Sequence, residues 1–438
     1  MLQWRRMVSK ALSLVWPSRP FLILVSWLLL VLVLTILVTQ AYHPSWRSHL
    51  QVDVVVFQMR ALHFLQQGTW ANVGYNEYQP GALWFFAWLA WLTPTPFNFD
   101  AYLTVVVLVN LGLILAHGYF FSRYGHRYAL LFFAILVGAM GPILFYRFEL
   151  IVSLLVLIAW RFFQKKNFPL AATLLGLACA IKVYPVILLP LFMAEAVARR
   201  QMRNIIWTVE FFALGLVLPV VLFIALGGSL SETLTSVNVH QLKPVGLEGL
   251  WGTLITLGQQ IAGIPLRITP SYGVHGFTPD LPGLTTGFLN NFWLLPYGVT
   301  LAYIYWRGRQ RGYSDAGLAF MLILVFVFFS KVLNPQYLWW YISFLPLVPL
   351  AWYDRGRWSL IILTACLSLV ITQVIYPVRY SEFLDWFNGR GSNPATFYLS
   401  ILRNVLILIL GLFAGDGIWR HYQRTRHQQR EVFTPEVT

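Results

Sequence analysis

The chain has 438 residues, 58% of them hydrophobic, 17% aromatic and only 11% charged, with a mean hydropathy of +0.65. Soluble domains are about 45–50% apolar and about 25% charged, so a soluble enzyme, a disordered chain and a collagen-like chain are excluded and a polytopic membrane protein remains. The formal charge of +15, from 31 Lys and Arg against 16 Asp and Glu, has to be read by position, because a membrane protein carries its cations as a topology label.

A helix needs about 20 apolar residues to cross the roughly 30 Å hydrocarbon core. The first run, 21–41, outlasts a signal-peptide apolar region and has no Ala-x-Ala site after it, so it is expected to remain as a span. Further runs cover 100–121, 128–146, 150–163, 168–181, 183–198, 204–227, 287–306, 315–332, 335–353, 358–377 and 397–416. The segment Pro80–Leu92 would reach only about 20 Å as a helix, so it is placed on, or dipping into, the outer face. With that choice, 21 of the 31 cations fall on inside segments, from Arg5, Arg6, Lys10 and Arg19 to Arg420, Arg424, Arg426 and Arg430. The positive-inside rule asks for this distribution, and it leaves no argument for nucleic acid. The expected architecture is one all-α membrane unit over 1–438, with about twelve spans and both termini cytoplasmic. It has a cytoplasmic start at 1–20, outer loops at 42–99, 228–286 and 378–396, and a basic cytoplasmic tail at 417–438. Cys179 and Cys366 lie far apart inside apolar runs and offer no disulfide framework or zinc spacing.

In the first outer loop, Val52, Asp53, Val56, Met59, Arg60 and His63 fall at helical spacings and Gly68 can stop the helix. A short interfacial helix over 51–67 is expected. Asp53 has two readings. It is an N-cap or first-turn acid serving backbone N–H groups, or a base at the membrane surface suited to proton abstraction. Next come Tyr75-Asn76-Glu77-Tyr78-Gln79-Pro80-Gly81, an acid followed by a Pro-Gly break. Irregular backbone of that kind is tolerated where it lines a cavity.

Ionisable groups then stand at the ends of apolar runs. Arg147 and Glu149 flank Phe148 between two runs, where a mutual ion pair at a tight turn is the plain alternative to a functional role. Lys182, in Ile181-Lys182-Val183-Tyr184-Pro185, tops a helical hairpin or broken helix, with snorkelling as its plain alternative. Lys331 precedes Asn334-Pro335-Gln336-Tyr337, and His240 opens the stretch to Trp251 in the second large loop. A lone loop histidine is more often merely solvated, and Asp53 with Glu149 forms only a weak divalent-metal pair. These charges gather on one face, whereas a secondary transporter would place them near the midplane. A one-sided set fits a lipid-borne substrate, with cations anchoring a phosphate and a carboxylate taking a hydroxyl proton.

In this order, the acid after the first span, Glu77-Tyr78-Gln79-Pro80, Arg147-Phe148-Glu149-Leu150, Lys182-Val183-Tyr184-Pro185, His240 to Trp251, and Lys331 with Asn334-Pro335-Gln336-Tyr337 resemble glycosyltransferase family 87. The resemblance covers about residues 20–415. It implies the GT-C fold and a polyprenyl-phosphate-mannose-dependent mannosyltransferase. The partners would be a polyprenyl-phosphate sugar donor, a glycolipid or glycan acceptor and the bilayer, with the site on the extracytoplasmic face. Asp53 would be the general base and Glu149 its support, and Lys182, His240 and Lys331 would contact phosphate or sugar. Glu77, Tyr78, Arg147, Tyr184, Gln336 and Tyr337 complete the expected substrate site. Two stretches depart from the family pattern: Tyr78-Gln79-Pro80 stands where Tyr-Pro-Pro is usual, and Asn334-Pro335-Gln336-Tyr337 where Ser-Pro-Gln-Tyr is usual. The alternatives are an enzyme with another polyprenyl-phosphate sugar, a lipid-linked glycan ligase, a transporter, or a structural partner in an envelope assembly.

Overall fold

The computed structural model describes residues 18–73, 77–264, 268–271, 273–277, 286–308, 313–348 and 355–433. Arg5, Arg6, Lys10, Tyr75, Asn76, Arg267, Arg309 and Arg311 lie outside these residues, as do the side chains of Arg307, Arg355, Arg424, Arg426 and Arg430.

In hydrocarbon a chain must satisfy its own backbone, and the apolar runs do so as helices. Helix α1 (Arg19–Ala41) starts where Ser18 Oγ accepts from Phe21 N, with a proline in the first turn. Helix α2 (Pro44–Gln67) begins on a proline and ends at Gly68, whose φ of 65° makes a left-handed cap. Then come α3 (Pro80–Trp91), α4 (Phe99–Tyr124), α5 (Ala129–Met140), a 3-10 segment Gly141–Tyr146, α6 (Glu149–Gln164) and α7 (Phe168–Ile181). A 3-10 segment Tyr184–Leu188 leads into α8 (Leu189–Ala198), followed by α9 (Met202–Ala225), α10 (Leu230–Leu242) and α11 (Leu250–Ile261). The remainder comprises α12 (Thr286–Asn291), α13 (Leu294–Gly308), α14 (Ala316–Phe329), α15 (Leu338–Ile342), α16 (Arg355–Gln373), α17 (Tyr380–Phe387) and α18 (Ala395–Phe433).

Among the described residues, six helical stretches are long and apolar enough to cross a membrane: Arg19–Ala41, Phe99–Tyr124, Ala129–Tyr146, Met202–Ala225, Gly356–Val378 and Ala395–Arg420. Phe168–Ile181, Tyr184–Ala198 and Ala316–Phe329 are shorter apolar helices between them. The protein is an all-α polytopic membrane protein.

Contacts sort the helix ends into two poles. At one, Tyr146 Oη donates to Ala41 O, Arg47 pairs with Asp100 at 3.1 Å, and Trp70 N donates to Leu226 O at 2.7 Å. At the other, Lys166 pairs with Glu195 at 2.6 Å, Arg357 with Asp416 at 3.0 Å, and Gln164 Nε2 donates to Ser314 O at 3.2 Å. All the candidate charges lie at the first, the site pole.

Glycines set one close contact that matters for the site. A Cβ on Gly176 would collide with Phe212 O, and one on Gly215 with Thr173 O, so α7 and α9 touch backbone to backbone. Gly81 similarly lets the start of α3 lie on Ala180 O. The end of α7, and with it Lys182, is thereby pinned between α3 and α9.

Three expectations are corrected. Helix α2 starts at Pro44 instead of near 51, so Asp53 is interior to a helix and serves as neither N-cap nor first-turn acid. The run 335–353 is described as far as 348, and there it is no continuous helix: it comprises the 3-10 turn Pro335–Tyr337, the short α15 and the 3-10 turn Leu345–Leu347. Pro335 and Pro346 stop a continuous helix there by removing donors and crowding the preceding turn. The second large loop also holds a small antiparallel sheet of β1 (Val245–Gly246), β2 (Ile268–Ser271) and β3 (Val274–Phe277), in the order β1-β3-β2. Its register pairs Val245 and Ile268 with Phe277, and Phe277 joins Ile255, Phe383, Phe387 and Phe397 in a small core over the site pole.

Candidate active site

The site forms where helices begin, end or break at one pole. Asp53, in the third turn of α2, is 33% exposed, and Arg147 Nε lies 3.0 Å from its carboxylate while remaining 5% exposed. Arg147 is an extended residue (φ −131°, ψ 157°) between the 3-10 segment and α6. Its guanidinium donates to Leu50 O and Tyr146 O at 3.0 Å each and to Tyr376 Oη at 2.7 Å. Tyr376 Oη donates in turn to His49 O. Asn110 Nδ2 fixes the same turn from α4, donating to Phe145 O at 2.9 Å and Arg147 O at 3.1 Å. A buried guanidinium needs this density of acceptors, and the result is a cation held rigidly beside Asp53.

Glu149 opens α6, where the helix N-terminus favours a carboxylate, and is 1% exposed in an ion pair with Lys182. The mutual Arg147–Glu149 pair does not form. Arg147 precedes the helix and Glu149 begins it, and each finds its partner on a different element, α2 or the end of α7.

Lys182 is extended (φ −154°, ψ 130°) at the end of α7, and Pro185 keeps the helix from running on. Its Nζ stands 4.7 Å from the Phe148 ring centre and 5.1 Å from those of Tyr337 and Trp340, so aromatic faces complete its coordination. Burial lowers its pKa and the Glu149 charge opposes that shift. Tyr184 and Tyr337 each stack on Trp340 at 4.1 Å. Among the described residues the buried Tyr184 Oη has no hydrogen-bond partner.

Glu77 pairs with Lys243 at 3.2 Å. Tyr78 packs among Phe57, Phe86 and Phe148, and burial, followed by the charges of Asp53 and Glu77, raises its pKa, leaving a neutral hydroxyl. Gln336 is buried beside Tyr337.

Lys331 lies between α14 and the Pro335 turn. Its carbonyl accepts from Gly246 N of β1 at 3.0 Å, and its Nζ donates to Gln241 O at the end of α10 at 2.9 Å. Burial, and then Lys243, bring its pKa down to about 8. His240 is brought down to about 3 by the protein packed around it and then by Lys243, Lys182 and Lys331. His240 itself is exposed at the end of α10. The imidazole is neutral at physiological pH and offers an N–H donor.

The charges balance in a way that separates two halves of the site. Asp53, Glu77 and Glu149 are matched by Arg147, Lys243 and Lys182. Among the described residues Lys331 meets only a backbone carbonyl, with His240 close by. One half therefore presents a partly open carboxylate with an oriented cation, and the other a cation with donor capacity to spare. A metal shared by Asp53 and Glu149 does not fit this donor set. Each acid has its own cation, and among the described residues no three His, Cys, Asp or Glu side chains gather as ligands.

All eleven expected residues thus lie at one pole. The sequence reading did not place Lys243, Tyr376, Trp340, Glu248 or Arg403 in the site or its support. Lys243 stood three residues from His240, and that proximity was a usable signal. Arg403, fully buried in α18, pairs with Glu248 at 3.3 Å, while Asn404 Nδ2 donates to Thr253 Oγ1 at 2.9 Å. This network fastens the second large loop, which carries β1, to the last helix.

The fold and site define a class: an integral membrane protein of many helices whose acids and cations converge at one end of the bundle. The sequence profile of glycosyltransferase family 87 matches residues 75–335, more than half of the chain, and the chain belongs to that family. It is a glycosyltransferase with the GT-C architecture. The match starts after Asp53 and stops just before Gln336. A comparison with curated proteins gave no match.

Proposed function

We propose that the protein transfers a hexose, mannose foremost, from a polyprenyl-phosphate donor to a lipid or glycan acceptor on the extracytoplasmic side, with inversion. Asp53 takes the proton of the acceptor hydroxyl as that oxygen attacks the anomeric carbon. The bond from that carbon to the phosphate oxygen breaks, and the electron pair leaves with the polyprenyl phosphate. Lys331 and the neutral His240 hold the departing phosphate by charge and hydrogen bond. Arg147 orients Asp53. Lys182, bound to Glu149 and boxed by aromatic rings, adds positive potential from behind, and Glu77, Tyr78, Tyr184, Gln336 and Tyr337 line the sugar and acceptor side.

The observation that carries this reading is the charge balance: a partly open, arginine-paired acid and, at the same pole, a lysine that meets no carboxylate among the described residues. The sidedness is supported by the opposite pole, where Arg19, Arg123, Arg161, Lys165, Lys166, Arg199, Arg200 and Arg203 gather on inside segments, as the positive-inside rule asks. The test is incubation of purified protein in nanodiscs with labelled polyprenyl-phosphate mannose and candidate glycolipids. A labelled glycolipid product is expected. Turnover of another polyprenyl-phosphate sugar alone would replace mannose, and movement of donor without a glycosidic product would replace the enzyme reading.

A further inference from the structure

Helix α10 carries an apolar stripe on its open side, among exposed polar residues. Its buried side carries Ser236 and Val239, and Gln79 Nε2 donates to Ser236 O at 3.4 Å. Its open side carries Leu230, Leu234 and Val237, at 58%, 54% and 44% exposure. Positions i, i+4 and i+7 share one helical face. Ser231 and Asn238, also exposed, edge that stripe on one flank.

The stripe follows closely in sequence on an exposed apolar face of α9. Val217, Leu218, Val221, Leu222 and Leu226 are exposed along α9 and just past its end, and α9 has the length and composition of a membrane span. Only Leu226, Gly227, Gly228 and Ser229 separate the two helices, and Trp70 N and Thr69 Oγ1 hold the junction at Leu226 O. The Ser229–Glu232 capping box then restarts the chain as α10. Thirteen residues later α10 ends at the site, having covered roughly 20 Å. It delivers His240, Gln241 and Lys243 to Lys331 and Glu77.

We propose that α10 lies in the membrane leaflet at the site pole, its Leu230–Leu234–Val237 stripe covered by lipid hydrocarbon, so that a lipid-borne phosphate reaches His240 and Lys331 laterally. The seating in lipid stands on its own; the delivery step rests on the phosphate-site reading above. An exposed apolar stripe on a helix is what a lipid surface covers, and the short link to α9, which has the length and composition of a span, says which surface it is.

Bimane attached at Leu234→Cys, in a Cys179→Ala/Cys366→Ala background in nanodiscs, tests the seating. Val217→Cys on α9 serves as the lipid reference and the exposed Asn388→Cys as the water reference. Quenching by doxyl-labelled phospholipid to about the level at Val217, with little quenching by iodide, is expected. Iodide quenching as strong as at Asn388, or protection from both quenchers as a second copy or another protein would give, overturns it. For delivery, Leu234→Glu/Val237→Glu should raise KM about tenfold for a long-chain polyprenyl-phosphate sugar and leave KM for a short-chain soluble analogue unchanged. Equal effects on both donors, or none, overturn delivery along α10. If the unsubstituted protein turns over neither donor, the donor reading fails and the quenching result still decides the seating.

Discussion

Arg147 Nε lies 3.0 Å from the carboxylate of Asp53, with the arginine buried and the acid partly open. The asymmetry supports the roles proposed for them. The residue locked by Leu50 O, Tyr146 O and Tyr376 Oη positions, and the residue that substrate can reach acts on it.

Tyr376 should therefore affect rate more than binding. Tyr376→Phe keeps the edge-on contact with Tyr380 at 4.9 Å but removes the acceptor for Arg147 and the donor to His49 O. A hydrogen bond to a charged group contributes about 1.5–3 kcal/mol. Steady-state kinetics should show kcat falling by about tenfold or more with donor KM within about twofold. A changed KM at unchanged kcat would place Tyr376 on the substrate instead.

The Lys182–Glu149 pair should behave as a buried unit. Removing one partner leaves an uncompensated charge at a cost of about 3–5 kcal/mol, so Lys182→Met and Glu149→Gln should each lower the unfolding temperature clearly. The double substitution should recover much of that loss. A double variant as unstable as the sum of the two singles would show that the charges are not coupled.

Lys331 gives the pH dependence its sign. With its pKa brought down to about 8 by burial and Lys243, it is a cation below that pH and loses its proton above it. Its charged fraction drops about tenfold between pH 7 and pH 9, so donor KM should rise across that range. Lys331→Arg should flatten the rise, because a guanidinium does not deprotonate there. Thermal unfolding over the same range checks that stability is not the cause.

Much of the helical architecture was legible because hydropathy reports it directly. The short segment Pro80–Leu92 does fold as a 12-residue helix at the site pole, and Gly68 does end α2. The broken run after Lys331 was not legible, since Pro335 and Pro346 interrupt a stretch that remains apolar throughout. Strands of two to four residues, as in β1–β3, leave no periodicity to detect. In the site, residue types and their order were readable, but the partners were not. That Arg147 turns to Asp53 and Glu149 to Lys182 depends on where α2 and the end of α7 arrive. Tyr376 lies in an apolar stretch three residues before Arg379, and nothing in the sequence ties that stretch to Arg147.

The proposed transfer depends on Asp53 as its base. Initial rates of sugar transfer by Asp53→Asn and the unsubstituted protein, at saturating donor in nanodiscs and with matched thermal unfolding, test it most directly. General-base catalysis contributes about 10²–10⁴-fold, so the variant should fold, insert and bind donor normally while its transfer rate falls by that factor. A folded Asp53→Asn protein transferring sugar at near the original rate would contradict the assignment.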